Sequence, residues 1–422
     1  MSGTLAVSCV TLGLERCART LEPPRVERAV ARVLGSRTRP AAVAPAREPL
    51  WTREYTLTLI SLHLFFLGWS LLFATLPLYV GDAPKWQVGW VVGGAFGVAS
   101  FTARPLSGRL TDRRGRRPVL LLGGGLTAAM LAAHALTRNP VALTGIRLLT
   151  GAGMCLYTTA ALAQLADVLP ASRRGEGMGW YGVIYTLTNV YGPWLGTAVA
   201  DVIGLRAFFL FPAAVTLGAT VLAAPLKERT RPLGAHAGRL ISRAALLPTT
   251  TFLALTMSFS VLMAFLALYV TRRDLGSAGL FFFLEGVALV PARWVGGTMA
   301  DRWGRPAIIL PGLVLAAVGM LLLGLVPHTL AVYLAALLFG AGFGLGHTGL
   351  TILTVDRAAP EERGAAMATF ALAWDVGTIG VFALGFVGDA VGFPALFVAA
   401  GMLPLLAAGG FVGAVRGRPS AR

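Results

Sequence analysis

Charge is scarce in this chain. Of its 422 residues only 13% are Asp, Glu, Lys or Arg, 56% are hydrophobic, and the mean hydropathy is +0.71. A soluble domain usually carries about 25% charged residues, so this sequence cannot cover itself with a solvated surface and reads as an integral membrane protein. Acid is scarcer than base, 19 against 36, for a formal net charge of +17. Lysine is nearly absent: Lys85 and Lys227 stand alone among arginines, a skew typical of GC-rich bacterial genomes. In a soluble chain that excess would suggest nucleic acid. Here it lies in turns and tails between apolar runs, where lipid insertion accounts for it, and no nucleic-acid module accompanies it. Cys9, Cys17 and Cys155 give neither a paired framework nor a CxxC metal spacing. No metal and no cofactor is expected. No Gly-x-x-x-x-Gly-Lys-Ser/Thr loop is present, which excludes ATP drive within the chain. Nor do the apolar runs hold a nucleophile–base pair, so no enzyme is expected.

Long apolar runs are what the chain does have. A spanning helix needs about 20 apolar residues, and twelve stretches qualify: 56–80, 87–111, 118–137, 141–166, 177–200, 205–225, 248–270, 277–299, 306–326, 330–354, 365–387 and 394–415. Runs of this length predict an all-α membrane protein, because barrel strands alternate and are much shorter. Arginine clusters before the first span and in alternate turns (Arg113 to Arg117, Arg173-Arg174, Arg229 to Arg243, Arg302 and Arg305, Arg357 and Arg363), with Arg416 and Arg418 at the end. The opposite turns hold Lys85, Arg138, Arg206 and one exception, the Arg272-Arg273 pair. Positive residues stay inside, so both termini are expected in the cytoplasm. The expected plan is a basic cytoplasmic tail over 1–54, a six-helix bundle over 55–225, a cytoplasmic linker over 226–247, a second bundle over 248–415 and a short tail over 416–422. The apolar start over 5–14 lacks a basic leader and a cleavage site, so no signal peptide is expected. Val26, Val30, Val33 and Leu34 with Arg25, Arg28 and Arg32 would suit a basic amphipathic surface helix; a disordered tail or a start assigned too far upstream is the other reading.

One charged turn recurs. Gly108-x-x-x-Asp112-Arg113-x-Gly115-Arg116-Arg117 returns 189 positions later as Gly297-x-x-x-Asp301-Arg302-x-Gly304-Arg305, followed by Pro306 where the first copy has a second arginine. The same offset joins Arg104 to Arg293, Gly151 and Gly153 to Gly340 and Gly342, Asp167 to Asp356, Arg174-Gly175 to Arg363-Gly364, and Gly196 to Gly385. An ordered series across several spans predicts two copies of one six-helix bundle. Six is even, so the copies share an orientation and relate by an axis along the membrane normal.

On these residues the chain resembles the major facilitator superfamily over about 55–415. The resemblance implies twelve helices in two pseudo-symmetric bundles, alternating access, and a small-molecule substrate held between the bundles at mid-membrane. Arg104-Pro105 ahead of the signature is similar to bacterial efflux members. Gly192-Pro193-Trp194-Leu195-Gly196 resembles the fifth-helix element of drug–proton antiporters, with Thr188 and Thr197 standing where that element has glycine; Gly192, Pro193 and Gly196 would let the helix flex.

The signature reads physically as a latch. Gly108, one turn before Asp112, admits a close neighbour, and Asp112 can accept from a neighbouring helix N-terminus. Arg116 can pair with Asp167. Such contacts, with Arg113 and Gly115, would hold the cytoplasmic side shut, and the eroded second copy offers Asp301, Arg305 and Asp356. Positive-inside charge alone would need arginines but no Asp.

Several ionisable side chains lie at membrane depth. Arg147 needs a carboxylate, backbone oxygens or water around it. The resemblance connects its Arg-x-x-x-Gly-x-Gly element with proton coupling; a structural pair or a snorkelling arginine is the bland reading. Glu285 and Asp375 have Phe96 and Thr186 as repeat mates, so neither is scaffold. A buried carboxyl can take up and release a proton as its surroundings change. Arg293, two turns after Glu285, would share its face, and Glu285 as a silent partner of that arginine is the alternative. His347, after the glycine run of span ten, is a weaker candidate, and His63 and His134 read as packing residues. The cavity is expected to draw on Trp69, Tyr157, Tyr185, Asn189, Tyr191, Trp194 and Trp374.

These observations predict a proton-driven secondary transporter of the inner membrane, acting as a monomer, that exports a small organic solute such as a drug, a sugar or a metal-chelating metabolite. A proton symporter importing a nutrient is the rival reading, and a non-transporting membrane sensor a more distant one.

Overall fold

The computed structural model describes residues 49–228, 241–359 and 362–416. The expectations for the N-terminal tail over 1–48, the middle of the linker and the last six residues lie outside those residues, as do Cys9 and Cys17.

Twelve helices follow in chain order: α1 (Arg53–Val80, interrupted at Leu71), α2 (85–114), α3 (Arg116–Leu136), α4 (Pro140–Val168), α5 (Arg174–Ile203), α6 (Leu205–Ala223), α7 (Leu246–Arg273), α8 (Ala278–Trp303), α9 (Pro306–Leu325), α10 (Thr329–Arg357), α11 (363–391) and α12 (393–416). The break between α11 and α12 falls at Gly392, whose φ of +83° suits a residue without a Cβ. Among the described residues there is no strand, and nine helical stretches are long and apolar enough to cross a membrane, α11 and α12 running together as one. The two left out are α2 and α5. Their spans carry the polar residues that face the inside of the protein, including Ser100, Arg104, Thr186 and Asn189.

Large apolar side chains such as Leu106, Val202, Trp294 and Leu406 are exposed on the outer surface. That pattern suits hydrocarbon and would be costly in water. Helices α1–α6 and α7–α12 form the two bundles, which meet through α1 with α7, α2 with α11, and α5 with α8.

The internal repeat is legible in the packing. A Cβ on Gly151 of α4 would strike the Phe96 carbonyl oxygen of α2; a Cβ on Gly340 of α10 would strike the Glu285 carbonyl oxygen of α8. Phe96 and Glu285 therefore hold the same place in the two bundles, one as a ring and one as an acid. The signature turns also repeat, with Gly115 at φ +95° and Gly304 at φ +82°.

Candidate functional site

Between the bundles lies a cavity of about 430 Å³. Its wall is rich in aromatic side chains: Phe66, Trp69, Phe73 and Phe96 from one bundle, Phe259 and Trp374 from the other. Tyr181 and Tyr185 on α5 also face it, and Asn189, one turn further on, lies in a side chamber of about 30 Å³ that opens beside Tyr185 and Trp374. Three of the expected aromatic liners sit elsewhere. Tyr157 turns toward α1, its ring stacked 3.6 Å from Phe65 and its hydroxyl on Ser61. Tyr191 bonds His63 Nε2 at 2.7 Å, and Trp194 is half exposed on the outer surface. Composition names such residues but not their helical phase, and each step along a helix turns the side chain by about 100°.

Two polar contacts join the bundles at the cavity wall. Asp375 of α11 receives Arg104 of α2 through Nε at 3.0 Å and Nη2 at 2.7 Å, with Ser100 Oγ at 3.3 Å. The acid is 7% exposed and the arginine 41%, so the pair sits at the edge of the cavity. Opposite, Arg293 of α8 donates to Thr186 Oγ1 of α5 at 2.9 Å. The alternative in which Glu285 is a bonded partner of Arg293 is not met: both line the side chamber, but among the described residues no ion pair joins them, and Glu285 Oε1 and Arg293 Nε are buried without hydrogen-bond partners. Glu285 lines the side chamber, and His347 lines the main cavity in a ring cluster with Phe252 and Phe343.

Arg147 does not line the cavity. It is fully buried behind Trp69 and Phe96, stacked on both rings at about 5 Å. Its Nε and Nη2 donate to the carbonyls of Val91 and Val92 at 2.9 and 2.6 Å. Those carbonyls belong to a π-helical turn over Trp90–Gly94, a widened turn of the kind that collects at functional sites. Backbone oxygens are thus the partners among the three possibilities. His134 is a packing residue, bonded to Met130 O and stacked on Phe209.

The signature turns form the same triad twice. Arg116 reaches Asp167 through Nε at 3.2 Å, Asp112 through Nη1 at 3.4 Å and the Thr111 carbonyl at 3.2 Å. Arg305 reaches Asp356 at 2.8 Å, Asp301 at 3.2 Å and the Ala300 carbonyl at 2.7 Å through the corresponding atoms. The Asp356 hydrogen bond raises the Arg305 pKa above its ordinary value. The second copy is eroded in sequence yet complete in this triad. What distinguishes the first copy is Glu228, missed in the sequence reading, which accepts from the backbone N–H groups of Arg116 and Arg117 at 2.8 and 3.1 Å. Pro306 has no N–H to offer in the second copy. Arg113 is exposed at the end of α2.

Two parts of the expected latch are not engaged. A Cβ on Gly108 would meet nothing within 4 Å, and Asp112 accepts from Arg116 rather than from a helix N-terminus. The bundles are instead clasped on the opposite face. There Asp389, at the end of α11, accepts from the first two N–H groups of α2, Lys85 at 2.8 Å and Trp86 at 3.0 Å, and lies 3.5 Å from Lys85 Nζ. An acid at a helix N-terminus satisfies orphan donors and meets the positive end of the dipole. Arg272 pairs with Asp82 across the same face at 2.8 Å, and Trp86 stacks on Phe386. Asp389 also escaped the sequence reading, because a lone Asp near a span end carries no motif. The cavity wall extends toward the signature face through Thr158 and Leu162. Helix α5 runs unbroken through Pro193, and Gly192 and Gly196 abut Ser70 and Leu71 at the interruption of α1. In this structure the two glycines let α5 pack closely against α1.

Two helical bundles with a cavity between them, clasped on one face, have the architecture of a membrane carrier. The sequence model of the Major Facilitator Superfamily matches residues 58–381 and 251–421, and the chain belongs to that superfamily. It is a transporter of a small molecule and not an enzyme. An MFS-type transporter, YhhS, of Escherichia coli K12 is 26% identical over 385 residues, 86% of this chain and 94% of that protein. A Lactococcus lactis homolog of the multi-drug resistance efflux pump PmrA is 27% identical over 322 residues, 70% and 78% of the two chains. Among solved structures, an inward-facing, occupied bacterial homolog of the human lysosomal transporter Spinster superposes with a TM-score of 0.73 at 16% identity, covering 89% of this chain and all of that one.

Proposed function

We propose that the protein is a proton-coupled exporter of the bacterial inner membrane. It takes a small organic solute, such as a drug, a sugar or a metal-chelating metabolite, from the cytoplasm in exchange for protons. The signature face is cytoplasmic in this reading, as are both termini, and one chain suffices. The bundles over 55–225 and 248–415 rock about the cavity. The arginine-rich signature turns and the efflux name of the Lactococcus relative support that orientation and direction.

The observation that carries the reading is the Arg104–Asp375 pair. Protonation of Asp375 removes the charge that holds Arg104, and the pair spans the two bundles. Proton occupancy is then linked to the relation between the halves, as a coupled carrier requires. Each proton entering an inside-negative cell releases about 2.3 kcal/mol per 100 mV, enough for a roughly 50-fold solute gradient. Glu285 is the second candidate proton carrier, with His347 behind it.

The test is a panel of drugs, sugars and metal chelates added to acid-loaded inverted vesicles with a pH-sensitive dye inside. An exporting antiporter alkalinises the lumen when its substrate arrives; an importing symporter acidifies it further. Orientation is read separately. Asp82→Cys should label from outside intact cells and Arg113→Cys should not.

A further inference from the structure

One cation at the cavity wall has no carboxylate bonded to it among the described residues. Arg104 and Asp375 neutralise each other. Among the described residues Arg293 has one hydrogen bond, to the neutral hydroxyl of Thr186, and its Nε has none. Glu285 is 2% exposed and shares the side chamber with Arg293, but it forms no ion pair among the described residues and does not line the main cavity. A guanidinium without a bonded carboxylate therefore stands at the wall of a mainly apolar cavity that is rich in aromatic rings.

We propose that the transported solute is an amphipathic organic anion, its carboxylate received by Arg293 and its apolar body by the rings of Trp69, Phe96, Phe259 and Trp374. This rests on the reading of the cavity as an export site and narrows it to one substrate class. Three arguments carry it. The guanidinium fork matches a carboxylate in geometry and charge. A guanidinium with no bonded carboxylate, set beside apolar walls, attracts an anion more strongly than it would in water. A cationic solute would find the main cavity's one acid, Asp375, already held by Arg104, and would lie near Arg293 as well. The volume of about 430 Å³ falls in the range of about 300–1,000 Å³ that small-molecule sites occupy. Direction also fits, since an anion leaving an inside-negative cell moves with the membrane potential.

The experiment uses the purified full-length protein and three probes of one shape: 4-phenylbutyrate, 4-phenylbutanamide and 4-phenylbutylammonium. Binding at fixed pH is read by calorimetry and by quenching of tryptophan fluorescence. The carboxylate should bind roughly tenfold or more tightly than the amide, the strength of one charge-assisted hydrogen bond, and the ammonium should bind weakest. Arg293→Gln should erase the preference for the carboxylate while amide binding persists, and Arg293→Lys should keep part of it. Tighter binding of the ammonium, or a carboxylate preference that survives Arg293→Gln, would overturn the proposal. The wild-type ranking alone decides the sign of the charge, so the test stands even where Arg293→Gln fails to fold. No gradient is used, so a failed ranking leaves the export reading intact, and absent proton movement leaves the ranking intact.

Discussion

Arg104 and Asp375 grip each other through two guanidinium nitrogens across the seam between the bundles. That geometry needs a planar fork, which lysine lacks. Arg104→Lys should keep the charge and lose part of the grip, lowering gradient-driven transport about tenfold, the effect of losing roughly 1.5 kcal/mol of charge-assisted bonding. Initial rates in vesicles with matched protein content check this.

The Asp112–Arg116 contact is half exposed at 3.4 Å, and exposed ion pairs contribute only about 0.2–1 kcal/mol. Asp112→Asn should therefore leave abundance and thermal stability nearly unchanged. Transport should nonetheless fall strongly if the turn latches the signature face when that face closes, since Gly108 faces open space here. Asp301→Asn should be milder, since the second turn lacks the Glu228 tie. Quantitative immunoblots beside uptake assays separate the two effects.

Asp389 caps the start of α2 from α11, which is the role expected of Asp112 on the other face. Asp389→Asn removes the charge that holds the closed face together. Spin labels at positions 138 and 274, one on each bundle at that face, should then report a new, longer distance. An unchanged distance distribution would mean that Asp389 is no clasp.

Gly340 lies directly on the Glu285 backbone, whereas Gly297 faces open space. Gly340→Val should destabilise the purified protein by about 1–3 kcal/mol through overpacking, and Gly297→Val should cost little. Thermal unfolding of the two variants in one detergent gives the comparison.

Much of this fold was legible beforehand. Twelve apolar runs and an offset of 189 residues carried the bundle architecture, because lipid forces long helices and duplication leaves a register. The charged triads were legible too, since Arg116, Asp167, Arg305 and Asp356 stand at repeat-related positions. The phase of the interior was not. Tyr157, Tyr191 and Trp194 looked like cavity residues and are not, because rotation about a helix is set by partners that no short window contains. Arg147 looked like a coupling residue, and its partners are carbonyls exposed by a π turn that leaves no mark in the sequence. Glu228 and Asp389 act through backbone N–H groups, which every residue but proline carries, so their partners could not be recognised by type.

The central claim is that protonation of Asp375 couples the proton gradient to movement of the bundles. The direct measurement is solute-driven proton flux in proteoliposomes for wild type and Asp375→Asn, with solute binding measured on the same preparations. The account predicts that Asp375→Asn binds solute and permits passive exchange, but moves no protons and builds no gradient-driven accumulation. Full proton flux and full accumulation by Asp375→Asn would contradict it.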